Sequence, residues 1–238
     1  MSPARPELSA NGKTGSGIGR AITLSFAHAG ASKIVLVGRT GAKLQETQKM
    51  LPAQCKSSIH PASVTDEAAI TRLATEVGTW DSIQESAVDE WWQNQCKRLL
   101  HPNKGCPPTA NPSCAAIIGL SSLITYPPAT HPGLSGYITS KFALTRFIAC
   151  IAAENPFVFA AALNPGMVYT ALTDKLGADP DTLPLDEAEP PANFTVRLTS
   201  EEGSFLDGRY VFANWDDELK AKKGSDMYRT FHSAKKKG

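Results

Sequence analysis

The clearest pattern of apolar and polar positions in the chain covers residues 15–51. It opens on a glycine-rich stretch, after which apolar side chains recur every three or four residues and predict a helix that ends near Gly30. The apolar run IVLV at 34–37 predicts a strand buried on both faces, and residues 43–50 predict a second helix. A glycine turn, a helix, a buried strand and another helix, in this order, are typical of a parallel α/β sheet.

The same alternation continues through the rest of the chain. Two stretches rich in Pro, Asn and Asp, 101–113 and 178–193, predict an irregular connection and a surface flap or extended segment, and neither interrupts the alternation for long. We therefore predict a single domain over 1–238, with an irregular N-terminal segment at 1–13 and a polar, basic tail at 221–238. Further helices are predicted at 66–77, with Thr65 or Asp66 as the N-cap, at 88–100 and at 137–154, and further strands at 115–120, 157–163 and 209–213.

Tyr137 and Lys141 carry the most suggestive chemistry, because they stand four positions apart in the longest predicted helix. Residues i and i+4 of a helix share one face, so both side chains reach the same ligand. A nearby ammonium favours phenolate and lowers the tyrosine pKa from about 10, which suits Tyr137 to proton transfer. Ser122 ends a predicted buried strand, where open α/β sheets usually bind ligands, and its hydroxyl can hold a carbonyl oxygen beside Tyr137. The spacing alone also arises by chance in many helices.

The composition is that of a globular protein without a strong charge. Of the 238 residues, 42% are hydrophobic and 20% charged, with Lys+Arg 24 against Asp+Glu 23, a balance that argues against a nucleic-acid partner. No apolar run reaches the roughly 18 residues of a membrane span, and the first residues lack the apolar core of a signal peptide, so we expect a cytoplasmic protein. Five cysteines without a CxxC pair and five histidines without a helical i, i+4 pair predict reduced thiols and no metal site.

Five motifs stand in an order that resembles the short-chain dehydrogenase/reductase family, and they are spread over residues 14–170. The stretch GRYVFANWD at 208–216 is also similar to reductases of this family from filamentous fungi. The resemblance implies a Rossmann-like, doubly wound parallel sheet with a nicotinamide dinucleotide lying across the strand ends. The matching motifs are TGSGIGRA at 14–21, IVLVGR at 34–39, SS at 121–122, YITSK at 137–141 and NPGMVYT at 164–170.

The same resemblance implies a role for each matching residue. Tyr137 exchanges a proton with the substrate oxygen, Lys141 holds the nicotinamide ribose and lowers the Tyr137 pKa, and Ser122 orients the substrate carbonyl. The glycine turn, residues 15–19, lets the backbone approach the pyrophosphate at a helix N-terminus. The catalytic residues are thus expected to be Ser122, Tyr137 and Lys141, and the cofactor-binding residues Gly15, Gly17, Ile18, Gly19, Arg39, Tyr137, Lys141, Val168 and Thr170.

The choice of cofactor rests on the end of the predicted strand at 34–37. Relatives that use NAD place an acidic residue there to bind the ribose 2′-hydroxyl. This chain has Gly38 followed by Arg39, and an arginine guanidinium can donate two hydrogen bonds to a 2′-phosphate. The sequence therefore favours NADP over NAD, the alternative being an arginine that is merely solvated.

Two segments depart from the family pattern. Residues 3–14 have Leu8 as their only sizeable apolar side chain, and residues 78–87 contain no four-residue apolar run, although the family has a strand at each place. Those strands are adjacent at the centre of the family's sheet, so we expect a sheet that lacks two central strands, and a chain that is poorly soluble or binds dinucleotide weakly. Ser63 stands where the family usually has an aspartate, and Asn94 is a candidate fourth catalytic residue.

The motifs together predict an NADP-dependent oxidoreductase. Its reaction would interconvert a carbonyl and a secondary alcohol on a small hydrophobic substrate, and the fungal resemblance suggests secondary metabolism. Neither a nucleic-acid nor a membrane partner is expected, and a homo-oligomer is possible. The alternatives are a degenerate, catalytically inactive homologue that acts as a scaffold, and a chain that arises from an incomplete gene model which dropped two coding segments.

Overall fold

The computed structural model describes residues 7–10, 16–63, 66–85, 110–111, 113–125, 133–170 and 185–215. Its strands are β1 (Glu7–Ala10), β2 (Lys33–Gly38), β3 (Lys56–Pro61), β4 (Ser82–Glu85), β5 (Ala116–Leu120), β6 (Phe159–Asn164) and β7 (Tyr210–Phe212). Its α-helices are α1 (Gly17–His28), α2 (Gly41–Lys49), α3 (Glu67–Val77), α4 (Ser135–Glu154) and α5 (Glu189–Leu198). Short 3-10 helices cover Leu123–Thr125, Glu201–Leu206 and Ala213–Trp215.

The strands form one parallel sheet in the order β3-β2-β1-β4-β5-β6-β7. The chain winds outward from β1 to β3, returns to the centre at β4 and then winds outward in the other direction. The direction of winding thus reverses between β1 and β4, which is the position where open α/β sheets bind ligands. The predicted Rossmann-like, doubly wound fold is confirmed.

Helices pack on both faces of this sheet, because successive side chains of a buried strand point to opposite faces and both sets are apolar. Ile34 and Leu36 of β2 pack in a cluster with residues of α1, α2 and α5, whereas Val35 and Val37 pack with Ile70 of α3. A separate cluster joins α4 to β5 and β6. The continuous apolar run at 34–37 therefore marks a strand buried on both sides, as its composition predicts.

The expected loss of two central strands needs correction, because β1 and β4 occupy both positions. Each has four residues, and β1 lies within the segment 1–13 that the sequence predicts to be irregular. β1 pairs with β2 over four residue pairs and β4 pairs with β5 over four, but β1 and β4 meet at one pair only, Ser9 with Ile83. The proposed reason for poor solubility, a gap at the centre of the sheet, is thereby removed.

Backbone pairing explains why polar segments form these central strands. Strand propensity depends strongly on context, and a segment flanked by paired strands gains backbone hydrogen bonds on both sides. Side-chain contacts also hold the start of β4. The buried Asp81 carboxylate accepts hydrogen bonds from Asn111 Nδ2 at 2.7 Å and from Cys114 Sγ at 3.2 Å, while its main-chain oxygen accepts from Ala116 N at 2.8 Å. These bonds tie β4 to β5.

Two further elements differ from the sequence prediction. β3 was not predicted, because KSSIHP is a partly polar edge strand that pairs with β2 alone, over six residue pairs. α5 falls partly within the segment 178–193 that was predicted to be a surface flap or extended segment. It buries Phe194 and Leu198, and its polar contact with α1 runs from Ser25 Oγ to Asn193 Oδ1 at 2.8 Å. Two prolines in its first turn are untypical of a helix interior, so the sequence pattern did not predict this helix.

The other described elements agree with the sequence prediction to within a few residues. Asp66 is the N-cap of α3 and accepts a hydrogen bond from Ala69 N at 2.9 Å, as expected of one of the two candidates. The predicted helix at 88–100, the tail at 221–238 and most of the connection at 101–113 lie outside the described residues. The single-domain organisation stays a prediction.

Candidate functional site

The carboxyl edge of the sheet gathers most of the residues that the sequence singles out. All strands are parallel, so the ends of β2, β5 and β6 lie at the same edge. Arg39 follows β2, Ser122 follows β5, and Val168 and Thr170 follow β6. Tyr137 and Lys141 lie in the first two turns of α4, which packs against β5 and β6.

Lys141 is held firmly at this edge. It is 7% exposed, and its Nζ donates a hydrogen bond to the main-chain oxygen of Leu120, the last residue of β5, at 2.7 Å. The same Nζ lies 5.8 Å from the centre of the Tyr137 ring. A buried ammonium needs hydrogen-bond partners to offset its lost hydration. The helix spacing and the end of β5 together therefore fix a positive charge beside Tyr137.

Ser121 and Ser122 have different surroundings although they are adjacent. Ser121 is buried, and its Oγ lies 3.2 Å from the main-chain oxygen of Lys141 and 2.6 Å from Thr145 Oγ1. Ser122 is half-buried, and its main-chain oxygen accepts a hydrogen bond from Thr125 Oγ1 at 2.9 Å. Ser121 thus joins β5 to α4, which leaves the Ser122 side chain as the one available for a ligand.

Asn164 connects the ends of two strands. It is the last residue of β6, it is 6% exposed, and its Oδ1 accepts a hydrogen bond from Leu123 N at 3.2 Å. This bond fixes the turn that carries Ser122 relative to the loop after β6. From the sequence, Asn164 has no role beyond its place in a motif, since a contact across 41 positions leaves no local signal.

The glycine turn and the loop after β6 lie close together. Gly17 has φ +57, and a Cβ at this position would lie 3.4 Å from Thr170 Cγ2. The α1 N-cap, Ser16, makes no side-chain cap hydrogen bond, and the first turn holds no acidic residue. A helix N-terminus with uncapped N–H groups suits an anion such as a pyrophosphate. The described part of this turn therefore fits a dinucleotide, while Gly15 and Asn94 lie outside the described residues.

We expect Gly17→Ala to lower the free energy of unfolding by about 1–2 kcal/mol, because a side chain is strained in the left-handed region. Gly136→Ala is the matched control, since Gly136 lies in α4 and a Cβ there has nothing within 4 Å. That change should be neutral or stabilise by up to about 1 kcal/mol. Denaturant unfolding without nucleotide measures both. Equal stability of the two variants would show that residue 17 does not adopt a left-handed conformation.

The remaining predicted residues have distinct environments. Arg39 is exposed directly after β2, while Val168 is 5% exposed and forms a parallel bridge with Asp186. Burial of the Val168 side chain leaves its backbone as the part that a ligand would meet. Ile18 is half-buried and Gly19 is buried at the start of α1.

In the described ranges, no group of three or more His, Cys, Asp or Glu residues is arranged to hold a metal ion. Within the same ranges, no helix combines the length and the apolar character needed to cross a bilayer. Burial raises the pKa of the Cys55 thiol, which lies just before β3 and away from Tyr137 in the sheet order.

Comparison with known sequences finds fungal relatives. No protein-family model matches the chain. A short chain dehydrogenase of Monascus purpureus is 31% identical in an alignment of 239 positions that spans 87% of this chain and 80% of the relative. A short chain dehydrogenase of Emericella variicolor is 27% identical, over 84% of this chain and 79% of the relative.

Comparison with solved structures finds the same fold in proteins of low sequence identity. A 3-ketoacyl-(acyl-carrier-protein) reductase from Brucella melitensis, complexed with NADH, has a TM-score of 0.66 and 18% identity over 87% of this chain and 96% of its own. The L-sorbose reductase from Gluconobacter frateurii, complexed with NADPH and L-sorbose, has a TM-score of 0.67 and 24% identity over 89% of this chain and 97% of its own. At these identities the likeness concerns the fold.

Proposed function

This chain belongs to the short-chain dehydrogenase/reductase family, and we propose that it is an NADP-dependent enzyme that interconverts a carbonyl and a secondary alcohol on a small hydrophobic substrate. By resemblance it is an NAD(P)-dependent oxidoreductase. The preference for NADP, the substrate class and the role of each site residue are the parts that we propose.

One observation carries the proposal: the buried Lys141 ammonium lies beside the Tyr137 ring at the end of β5, next to the turn that holds Ser122. In the reducing direction the Tyr137 hydroxyl gives its proton to the substrate oxygen, and the Ser122 hydroxyl donates a hydrogen bond to the same oxygen. The Lys141 ammonium stabilises the phenolate that remains. In the oxidising direction the Tyr137 phenolate takes the proton back, so the two directions use the same groups.

We assign the dinucleotide to the carboxyl edge of the sheet, between the glycine turn and the loop after β6. The start of α1, with Gly15, Gly17, Ile18 and Gly19, would hold the pyrophosphate through main-chain N–H groups. Val168 and Thr170 would hold the nicotinamide end, and Lys141 the ribose beside it. When bound, the nicotinamide supplies or accepts the hydride. The short distance between Gly17 and the Thr170 side chain supports this assignment, because one dinucleotide could then reach both the glycine turn and the loop after β6.

Three exposed apolar side chains support a hydrophobic substrate. Leu123, Met167 and Tyr169 are each close to half exposed, and all three follow β5 or β6 at the carboxyl edge. Each is a sequence neighbour of a proposed site residue, Ser122 or Val168. Large apolar side chains exposed together often mark a surface that binds apolar ligands. We propose that they contact the substrate beyond its reacting carbonyl.

Nucleotide binding and turnover test the proposal together. We expect NADPH to bind the purified chain in a fluorescence titration, and to be consumed when small apolar ketones are supplied. Polar ketones of similar size should be reduced more slowly. Binding of neither NADPH nor NADH would overturn the proposed function. Binding without turnover of any ketone would favour the inactive homologue, whose remaining support is the short pairing between β1 and β4.

Arg39 is the proposed partner of the 2′-phosphate, so Arg39→Asp should abolish the preference for NADPH over NADH. A charge-assisted hydrogen bond contributes about 1.5–3 kcal/mol, so the ratio of the two dissociation constants should change by about 10–100-fold. Arg72→Asp in α3 is the control, because it makes the same charge change at another exposed arginine. An unchanged ratio in Arg39→Asp would leave Arg39 as a solvated surface residue.

Three broader predictions accompany the proposal. The fungal relatives favour a role in secondary metabolism. A cytoplasmic location and a homo-oligomeric state remain predictions from the sequence. Size-exclusion chromatography with light scattering measures the second directly.

A further inference from the structure

The loop after β6 is fixed by an acidic residue that the sequence analysis did not single out. Asp186 Oδ2 accepts a hydrogen bond from Met167 N at 2.7 Å, and Asp186 N donates to Met167 O at 2.9 Å. Asp186 also forms the parallel bridge with Val168. Both main-chain groups of Met167 are thus bound by one residue that stands 19 positions further along the chain.

The same carboxylate meets a second element. Asn214 Nδ2 lies 3.4 Å from Asp186 Oδ1 and 3.3 Å from Oδ2, and Asn214 belongs to the 3-10 helix that follows β7. A carboxylate is an acceptor with several lone-pair sites, so it accepts from an amide and from a main-chain N–H at once. Asp186 therefore joins the loop after β6 to the end of β7.

Gly166 allows this arrangement. Its φ is +86, and a Cβ there would overlap the Asp186 carboxylate and lie 3.1 Å from Asn214 Oδ1. Only glycine fits a backbone that must both turn in this region and pass close to the carboxylate. The turn at Gly166 and the Asp186 carboxylate are accordingly matched to one another.

We propose that Asp186 is a positioning residue for dinucleotide binding, and the inference rests on the function proposed above. Asp186 fixes Met167 and Val168, and Thr170 lies two residues further on, close to Gly17. Without the carboxylate, the loop would lose the hydrogen bond from Met167 N and the link to Asn214, and of the bonds named above only the main-chain bond from Asp186 N to Met167 O would remain. The free protein would then have to order this loop on binding, which weakens affinity.

Nucleotide affinity, measured by calorimetry in Asp186→Ala, tests the inference. We expect NADPH to bind about 10–100-fold more weakly than to the unchanged chain, as the loss of hydrogen bonds to a charged acceptor implies. Asp186→Asn should recover most of this loss, because its amide oxygen still accepts from Met167 N and its nitrogen can donate to a reoriented Asn214 amide. In the protein without nucleotide, the Met167 amide should exchange its hydrogen faster in Asp186→Ala.

Asp207→Ala is the matched control for a general loss of stability. Asp207 Oδ1 also accepts a main-chain hydrogen bond, from Ala160 N at 3.0 Å, but near the amino end of β6, away from the carboxyl edge of the sheet. Thermal melting should show that both alanine variants are destabilised to a similar degree. Only Asp186→Ala should lose nucleotide affinity.

The outcomes separate this inference from the proposed function. Normal NADPH affinity in Asp186→Ala, or an equal loss in Asp207→Ala, would overturn the positioning role and leave the proposed function intact. If the unchanged chain binds neither NADPH nor NADH, both the function and the positioning role are wrong. Weaker binding in Asp186→Ala, with recovery in Asp186→Asn and none lost in Asp207→Ala, would support both.

Discussion

Tyr137→Phe should lower turnover by about 10²–10⁴-fold, the usual contribution of a positioned proton donor or acceptor. The change removes one hydroxyl and keeps the ring beside which Lys141 lies. The Lys141 ammonium keeps its hydrogen bond to Leu120 O, so the end of β5 should be unaffected. Steady-state kinetics should therefore show a loss in kcat, with nucleotide affinity and melting temperature close to those of the unchanged chain.

Tyr210→Phe is the control for this substitution. Tyr210 lies in β7, and its ring packs edge-on against Phe212 at 4.9 Å between ring centres. It pairs with Ala162, in the middle of β6 and not at the carboxyl edge. We expect its turnover to stay close to that of the unchanged chain, since the side chain lies away from the residues proposed to react. Near-full turnover by Tyr137→Phe would remove Tyr137 from the mechanism.

The elements that the sequence predicts correctly are those with strong apolar patterns. β2 and β5 are continuous apolar runs, and α1 and α4 repeat apolar residues at helical spacing. Such patterns carry their own information, because burial of these side chains dominates the free energy of folding. Their boundaries agree with the structure to within a few residues.

The elements that the sequence missed depend on contacts with distant residues. β1 and β4 contain polar residues and were expected to be absent, yet they pair with β2 and β5. Their formation is decided by neighbouring strands and, for β4, by the Asp81 carboxylate. β3 was missed for the same reason. Propensity along the chain does not report such long-range pairing.

The residues of the proposed site also fall into those that the sequence located and those that it missed. Motifs and helix spacing located Ser122, Tyr137 and Lys141, and the structure brings all three to one edge of the sheet. Asn164 stands in a motif but its supporting role gave no signal, and Asp186 was not singled out at all, because their partners are 41 and 19 positions away. The motifs therefore located the side chains proposed to meet a ligand, whereas the bonds that hold the surrounding turns became visible only in the fold.

The pairing of β4 leads to the second large effect that we expect: Ile83→Pro should prevent stable folding. Ile83 is half-buried in a central strand and is paired with Ser9 on one side and Ile117 on the other. Proline has no N–H and is found in sheets almost only at edges or bulges. An orphaned acceptor in the interior costs about 1–3 kcal/mol, and distortion of the adjoining pairs adds to it.

Such a loss is large against a typical total stability of about 5–15 kcal/mol, and the single pair between β1 and β4 offers little to offset it. Ile83→Val is the control, because it keeps the N–H and removes one methyl group, which should cost about 0.5–1.5 kcal/mol. Circular dichroism melts of the two variants distinguish a strand from a loop. If residues 82–85 were a loop outside the sheet, proline would be tolerated and both variants would melt alike. We expect instead a cooperative melt for Ile83→Val and none for Ile83→Pro, because β4 lies at the centre of the sheet and joins its two halves.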